Sequence, residues 1–193
     1  EIVCRDLQTG KELWRSPCRA RTKPRSPAAG RWHVGSLGTL IIYRGTVFFT
    51  APEGLTAFAL SDGEKLWQGP KVRPIAPTQP VGLFGAQDLV WPTGAPGSIR
   101  GMKVTMKGYG LKTGKLKREL TLDRLFSPGH HVRCYRSKAT RRYLLLPKRG
   151  VEFVDLVGEN PRRHDWLRAP CSYGALPANG LLYMPPHQCF CYP

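Results

Sequence analysis

Cysteine and histidine residues near the end of the chain have the types and spacing most suited to chemistry. One residue separates Cys189 from Cys191, so a β-strand would direct both thiols to one face, and His187 lies on that face if the strand extends so far. Thiolate and imidazole groups together suit zinc or copper. The predicted soft-metal ligands are Cys134, Cys171, His187, Cys189 and Cys191, with His131 as an alternative to Cys134.

Two other interpretations of these cysteines stay open. Their spacing is not the paired Cys-x-x-Cys pattern of zinc sites. An exported protein could instead join Cys134 to Cys171 in a disulfide between neighbouring structural units. Reduced, buried thiols that act as small apolar side chains are the third possibility.

Catalytic residues are not evident elsewhere in the sequence. The pair His130-His131 follows Ser127-Pro-Gly, yet no serine or cysteine nucleophile with a neighbouring acid can be assigned to it. The sequence therefore favours a protein without catalytic activity.

An internal repeat predicts the elements that must position these residues. The segment Asp6–Trp14 returns almost intact as Leu60–Trp67 and in reduced form as Leu111–Leu116. Each copy predicts a strand, a tight turn at Thr-Gly or Asp-Gly and a second strand. The turn glycines recur every 40–55 residues or so, a period typical of propeller blades; they are Gly10, Gly63, Gly114 and Gly158.

Repeated units of four short strands in up-and-down order follow from this pattern. The fourth unit is predicted to begin with a strand over His131–Tyr135 and to end with one over His164–Trp166, and the fifth to begin at Tyr173–Leu176. Residues 15–34 predict an exposed connection. The units lie in a single domain, 1–193, at approximately 1–14, 36–68, 81–120, 130–168 and 172–193.

The pattern Asp-x-x-Thr-Gly-Lys-x-x-Trp after a short apolar strand resembles the blade signature of the pyrroloquinoline-quinone-like β-propellers. That group includes quinoprotein alcohol dehydrogenases and the propeller lipoprotein of outer-membrane assembly. The resemblance implies an all-β propeller of four-stranded antiparallel blades, with about four blades present and an incomplete ring. The residues that carry the motif are Asp6, Thr9, Gly10, Trp14, Asp62, Gly63, Trp67, Thr113, Gly114, Asp155, Gly158 and Trp166.

The same resemblance bears on cofactors. In the dehydrogenases a quinone stacks between a tryptophan and two adjacent cysteines, above a calcium ion held by Glu, Asn and Asp. This chain has no adjacent cysteine pair, so a quinone with calcium is expected only in a longer parent protein. Trp14, Trp67 and Trp166 are expected to pack at blade edges. Asp6, Asp62 and Asp155 are expected to cap their own turns rather than to bind calcium.

Charge adds an expectation about partners. The chain has 193 residues with 30 Lys+Arg against 13 Asp+Glu, a formal net charge of +17, which favours polyanionic ligands. The local clusters are Arg15–Arg25, Lys103–Lys117, Arg133–Arg149 and Arg162–Arg168. No cluster interleaves aromatic residues as single-strand binding surfaces do, although nucleic acid stays open as a partner.

The predicted function is a non-catalytic binding scaffold for a protein or an acidic glycan. The alternative is part of a quinoprotein-type oxidoreductase whose cofactor site lies in blades absent here. No apolar run is long enough to span a bilayer. The chain begins at Glu1 and its C-terminal string looks like large multidomain bacterial proteins, so we expect a piece of a longer parent, periplasmic or extracellular, with further blades or modules.

Overall fold

The computed structural model describes the chain in ten stretches. They are residues 1–18, 38–51, 54–72, 81–93, 104–122, 125–126, 135–158, 160–167, 169–170 and 173–186. Throughout these stretches the regular structure is β-strand, which confirms the predicted all-β class. Within the same stretches no helix is long and apolar enough to cross a membrane.

Five antiparallel sheets follow one another along the chain. The first contains β1 (Ile2–Arg5) and β2 (Glu12–Ser16). The second contains β3 (Leu40–Tyr43), β4 (Thr46–Ala51), β5 (Gly54–Ala59) and β6 (Lys65–Gln68). The third contains β7 (Gly82–Ala86), β8 (Leu89–Thr93), β9 (Val104–Gly110) and β10 (Leu116–Leu122). The fourth contains β11 (Lys138–Ala139), β12 (Tyr143–Leu146), β13 (Val151–Asp155) and β14 (Arg162–His164). The fifth contains β15 (Leu176–Ala178) and β16 (Leu181–Tyr183).

Strand order within the sheets agrees with the repeat. The second, third and fourth sheets each have four strands, and each strand pairs with the next one along the chain. This confirms the predicted up-and-down order for three units. The first strands of successive sheets also touch, β3 with β7, β7 with β11, and β11 with β15. The sheets therefore lie side by side with their first strands together.

Several predicted strand bounds are wrong. Tyr135 is buried in a bend rather than in a strand, because its hydroxyl donates to the carbonyl of Gly150 at 2.6 Å and holds it against the β12–β13 hairpin. The first strand of the fourth sheet is instead Lys138–Ala139. Its last strand ends at His164, so Trp166 lies beyond it in a turn, and the fifth sheet begins at Leu176 rather than Tyr173. Residues 131–134 lie outside the described stretches.

Two-residue turns join the first two strands of three sheets. Both turn residues have positive φ at Arg44-Gly45, Gln87-Asp88 and Asn179-Gly180, the backbone that suits the twist of a hairpin. These turns meet at one end of the sheets, where Arg44 pairs with Asp88 at 2.8 Å. We call this the turn end. The connections 17–39, 69–81, 123–137 and 165–175 run between strand termini at the opposite end, the loop end.

Apolar side chains fill the spaces between sheets rather than one central core. Phe48 and Leu55 of the second sheet pack with Leu83 and Val90 of the third. Similar clusters join the first sheet to the second, the third to the fourth, and the fourth to the fifth. Each four-stranded sheet is therefore buried on two faces, and the relative placement of neighbouring sheets depends on the contacts between them.

Candidate anion-binding surface

A repeated hydrogen bond fixes each of the first three sheets to its successor. The indole N–H of Trp14, on the last strand of the first sheet, donates to the carbonyl of Leu60 at 2.9 Å. The indole N–H of Trp67, on the last strand of the second sheet, donates to the carbonyl of Leu111 at 2.8 Å. Leu60 and Leu111 occupy the same position in successive copies of the repeat. We call this contact a joint.

A turn glycine lies directly beneath each indole. A Cβ atom added to Gly63 would lie 2.4 Å from a ring carbon of Trp14, and one added to Gly114 would lie 2.6 Å from a ring carbon of Trp67. Both glycines have positive φ, +76° and +63°. Glycine is therefore needed twice over at these positions, for the backbone conformation and for the close approach of the ring.

Arginine takes the place of tryptophan in the third joint. Arg118 is the fourth residue after Gly114, as Trp67 is after Gly63. Its guanidinium donates to the carbonyl of Leu156, the counterpart of Leu60 and Leu111, and to that of Val157 at 3.4 Å. The sequence repeat did not predict this residue, although its distance from Gly114 was a signal that could have found it.

A bulge aims the joint residue in all three cases. The strand register skips one residue immediately before Trp14, Trp67 and Arg118, which then pair with Cys4, Ala57 and Gly108 respectively. A β-bulge bends its strand and redirects the next side chain. The shared bulge explains how an arginine reaches the same acceptor position as an indole.

A buried ion pair holds the turn that Arg118 contacts. Arg142 donates to the two carboxylate oxygens of Asp155 at 3.1 and 2.8 Å, and Asp155 is fully buried. Asp155 also accepts the N–H groups of Val157 and Gly158 at 3.0 and 3.1 Å. The hydrogen bond from Arg142, followed by these backbone bonds, holds the pKa of Asp155 well below its ordinary value.

Cations without carboxylate partners are concentrated on the third and fourth sheets. Among the described residues of these sheets and their adjoining segments, five exposed side chains make no ion pair: Lys115, Lys117, Arg136, Arg141 and Arg162. In the second sheet Arg44 pairs with Asp88, and Lys65 lies on a strand that follows Asp62 and Glu64. The net positive charge is therefore unevenly distributed. We call the five side chains the basic surface.

The backbone contacts around this surface are fixed before any ligand binds. Gln87 donates to the carbonyl of Arg141 at 2.7 Å and so holds the β11–β12 turn to the third sheet. Lys112 reaches the carbonyl of Gly45 at 3.4 Å. Exposed cations on a rigid scaffold attract anions and raise their local concentration. Electrostatic binding of an anion is therefore the chemistry that this arrangement supports.

A second buried carboxylate closes a hairpin at the loop end. Glu152 is fully buried and accepts the N–H groups of Lys148 and Arg149 at 2.7 and 2.8 Å. Burial raises its pKa above the ordinary value, against the effect of these backbone bonds. The carboxylate satisfies backbone donors of the β12–β13 turn, so its role is structural.

The predicted metal ligands fall outside the described residues. This applies to Cys134, Cys171, His187, Cys189 and Cys191, and to His130 and His131 as well. Cys4 and Cys18, both in or beside the first sheet, are free thiols. Within the described stretches no three His, Cys, Asp or Glu residues come close enough to hold a metal ion.

The repeat residues lie at the turn end, with one exception. Asp6 accepts the N–H groups of Gln8 and Thr9 and the hydroxyl of Thr9, and Asp62 accepts the N–H of Glu64 at 2.9 Å. These aspartates thus cap their own turns. Thr113 accepts the N–H of Lys115 at 3.4 Å in the third copy of the turn.

The expectation that Trp166 packs at a sheet edge is wrong, because the side chain is 98% exposed. The reason is register. The residue opposite Phe153 in the fourth sheet is Arg162, which therefore stands where Trp67 stands opposite Ala57 in the second sheet. Trp166 lies further along, past the end of β14.

The quinone and calcium that the family resemblance implies do not fit the described residues. The indole rings of Trp14 and Trp67 lie against turn glycines of the next sheet, so their faces are not open for stacking a cofactor. The aspartates of the repeat are engaged in capping and pairing. A comparison of the chain with models of known protein families and with curated protein sequences finds no match.

Proposed function

We propose that this chain is part of a β-propeller of the pyrroloquinoline-quinone-like kind that acts as a non-catalytic scaffold binding an acidic glycan. Three four-stranded up-and-down sheets with adjoining first strands support the propeller. Tryptophan joints that recur with the sequence repeat give further support. A periplasmic or extracellular location, where such glycans occur, belongs to the same proposal.

The basic surface is the observation that carries the ligand. Its five cations are exposed and lie on neighbouring sheets without carboxylate partners among the described residues. A polymer with regularly spaced sulfate or carboxylate groups can contact several such cations at once and release its condensed counterions. An acidic protein surface would use the same cations and is the second ligand to test.

A pair of reciprocal charge exchanges tests the proposal. Lys115 and Glu64 each follow the turn glycine of their repeat, Gly114 and Gly63, so they occupy one position with opposite charge. Affinity for a sulfated polysaccharide such as heparin is measured by calorimetry over a series of salt concentrations. Lys115→Glu is expected to weaken binding by about tenfold and to lower the salt slope by about one.

Glu64→Lys is the matched partner and is expected to leave affinity unchanged or to raise it slightly. Equal effects of the two exchanges would show that total charge, rather than the basic surface, governs binding. Binding that is insensitive to salt in the unmodified chain would contradict the proposal altogether. Preference for an acidic protein over heparin at the same salt would keep the surface and change the ligand.

A further inference from the structure

One joint donor and one joint acceptor are left unused in the described part of the chain. Arg162 has the register position of Trp67 and Arg118, yet it is exposed and contacts no acceptor among the described residues. At the other end of the repeat series, Leu7 has the position of Leu60, and its side chain is 98% exposed. The donor lies in the fourth sheet and the acceptor in the first.

The glycine of the first repeat shows the same vacancy. A Cβ atom added to Gly10 would have nothing within 4 Å, whereas Gly63 and Gly114 each lie beneath an indole ring. The first turn thus has the conformation of an acceptor turn, with φ of +69° at Gly10, but no donor from a preceding sheet lies against it.

The two-stranded sheets are complementary halves of one four-stranded sheet. The motif turn between β1 and β2 matches the turn between the third and fourth strands of the second sheet, so β1 and β2 are outer strands. The two-residue turn between β15 and β16 matches Arg44-Gly45, and β15 contacts β11 as a first strand does. Strands β15 and β16 are therefore inner strands.

Apolar faces are exposed where the missing halves would lie. Leu40 on β3 and Leu83 on β7 occupy the same position relative to the two-residue turn, and both face the preceding sheet. Leu83 is 2% exposed, but Leu40 is 46% exposed and Ile42 beside it 59%. The strand that would cover them is the inner strand of the first sheet, the kind of strand that β15 is.

We propose that two copies of this chain exchange these halves, β16 of one copy pairing antiparallel with β1 of the other. Each composite sheet would then contain β15, β16, β1 and β2 in the order of the complete sheets. Arg162 of one copy would donate to the Leu7 carbonyl of the other and make the missing joint. The exchange is mutual, so a two-fold dimer pairs both free edges and closes the assembly.

The register of the composite sheet follows from the second sheet. Tyr183 is the third residue after its turn glycine, as Phe48 is after Gly45. Cys4 has the position of Ala57, which pairs with Phe48. Tyr183 of one copy therefore stands opposite Cys4 of the other, and paired residues of antiparallel strands are close enough for a disulfide.

Cross-linking of the full chain tests this pairing. Tyr183→Cys is oxidised and run on a non-reducing gel, with Tyr183→Cys/Cys4→Ser as the matched control. The expected result is a covalent dimer in the single variant that is lost in the double variant. Light scattering of the unmodified chain is expected to give twice the mass of the 21.6 kDa protomer. A disulfide within one copy, or a monomer at the highest soluble concentration, would overturn the proposal.

Arg162→Met examines the joint across the interface. Loss of a charge-assisted hydrogen bond is expected to weaken dimerisation by about tenfold, while Arg136→Met, which removes an exposed cation from another position, leaves it unchanged. A dimer that forms without the Tyr183–Cys4 cross-link and is insensitive to Arg162→Met would place the interface elsewhere. That result would refute the exchange and leave the glycan-binding proposal to its own test.

Discussion

The tryptophan joints and the arginine joint reach the same acceptor by different means. In the first two joints an indole ring covers the turn glycine and donates one hydrogen bond. In the third, Arg118 only donates, and the turn glycine Gly158 packs instead against the Arg142–Asp155 pair of its own sheet. The acceptor position is thus constant, while the packing that stabilises it changes from apolar to ionic.

This difference teaches which part of the repeat is indispensable. A bulge precedes the joint residue in all three cases, so the backbone keeps the direction of the side chain. The residue type then determines how the joint responds to temperature, salt and acid. Apolar contacts are insensitive to salt and to acid, whereas a charged donor and a carboxylate-capped turn depend on ionisation.

Trp67→Ala is expected to have the largest effect on stability. The substitution removes a ring that packs between the second and third sheets and the hydrogen bond to Leu111, at a cost of about 3 kcal/mol in the free energy of unfolding. Urea denaturation followed by circular dichroism measures the change. Trp166→Ala, which removes an exposed ring, is the control and is expected to cost less than about 0.5 kcal/mol. Equal losses would contradict the joint.

Gly114→Ala is expected to come next, at about 2–3 kcal/mol, because the new methyl group meets the Trp67 ring in addition to straining the backbone. Gly10→Ala carries a similar backbone strain, φ being +69°, but meets no atom within 4 Å. Its cost in the same assay is expected to be about 1 kcal/mol. The difference between the two variants isolates the close approach of the indole.

Arg118→Met sharpens the comparison from the ionic side. The variant keeps most of the aliphatic side chain and loses the hydrogen bonds to Leu156 and Val157, for about 1–2 kcal/mol in the free energy of unfolding. The neighbouring substitution Lys117→Met affects an exposed residue in the skipped position of the bulge and serves as the control. No difference between the two variants would show that the arginine merely covers the turn.

Acid is expected to produce the smallest effect, and in the fourth sheet alone. Asp155 has a folded pKa below its ordinary value of 3.8, so its stabilisation is complete above the unfolded pKa and is lost as pH falls below about 4. Asp155→Asn is expected to reduce the loss of stability between pH 6 and pH 3 by about 1 kcal/mol. The same measurement on Asp62→Asn, which changes an exposed cap, provides the reference.

Glu152 would act in the opposite direction in the same titration. Its folded pKa lies above the ordinary value because of burial, so protonation in acid favours the folded state. Glu152→Gln should therefore make the acid-dependent loss of stability larger than in the unmodified chain. A decrease would show that the backbone bonds from Lys148 and Arg149 outweigh the burial of the charge.

The repeat made the sheets predictable because it marks the turn, the bulge and the joint residue together. It failed where one residue type replaced another. Arg118 has a different side chain from Trp67 but the same strand register, and only pairing across the sheet reveals their equivalence. Trp166 has the expected residue type without the register, so composition led to the wrong position.

Short or polar strands escaped prediction for another reason. β11 is only Lys138–Ala139 and has no apolar alternation, so its place is set by pairing with Leu144 and Leu145. The basic clusters were visible in the sequence, but their neutralisation was not. That Arg142 is paired with Asp155 while Arg141 is exposed depends on the direction of two adjacent side chains in a turn.

The placement of each indole above a glycine of the following sheet has a consequence for how such a chain can change. The two residues that must fit together, Trp67 and Gly114 for example, belong to different copies of the repeat. A copy that is duplicated, deleted or exchanged therefore brings half of one contact and half of another. We expect substitutions to be correlated between adjacent copies, so that the segment inherited as a unit runs from one indole to the next.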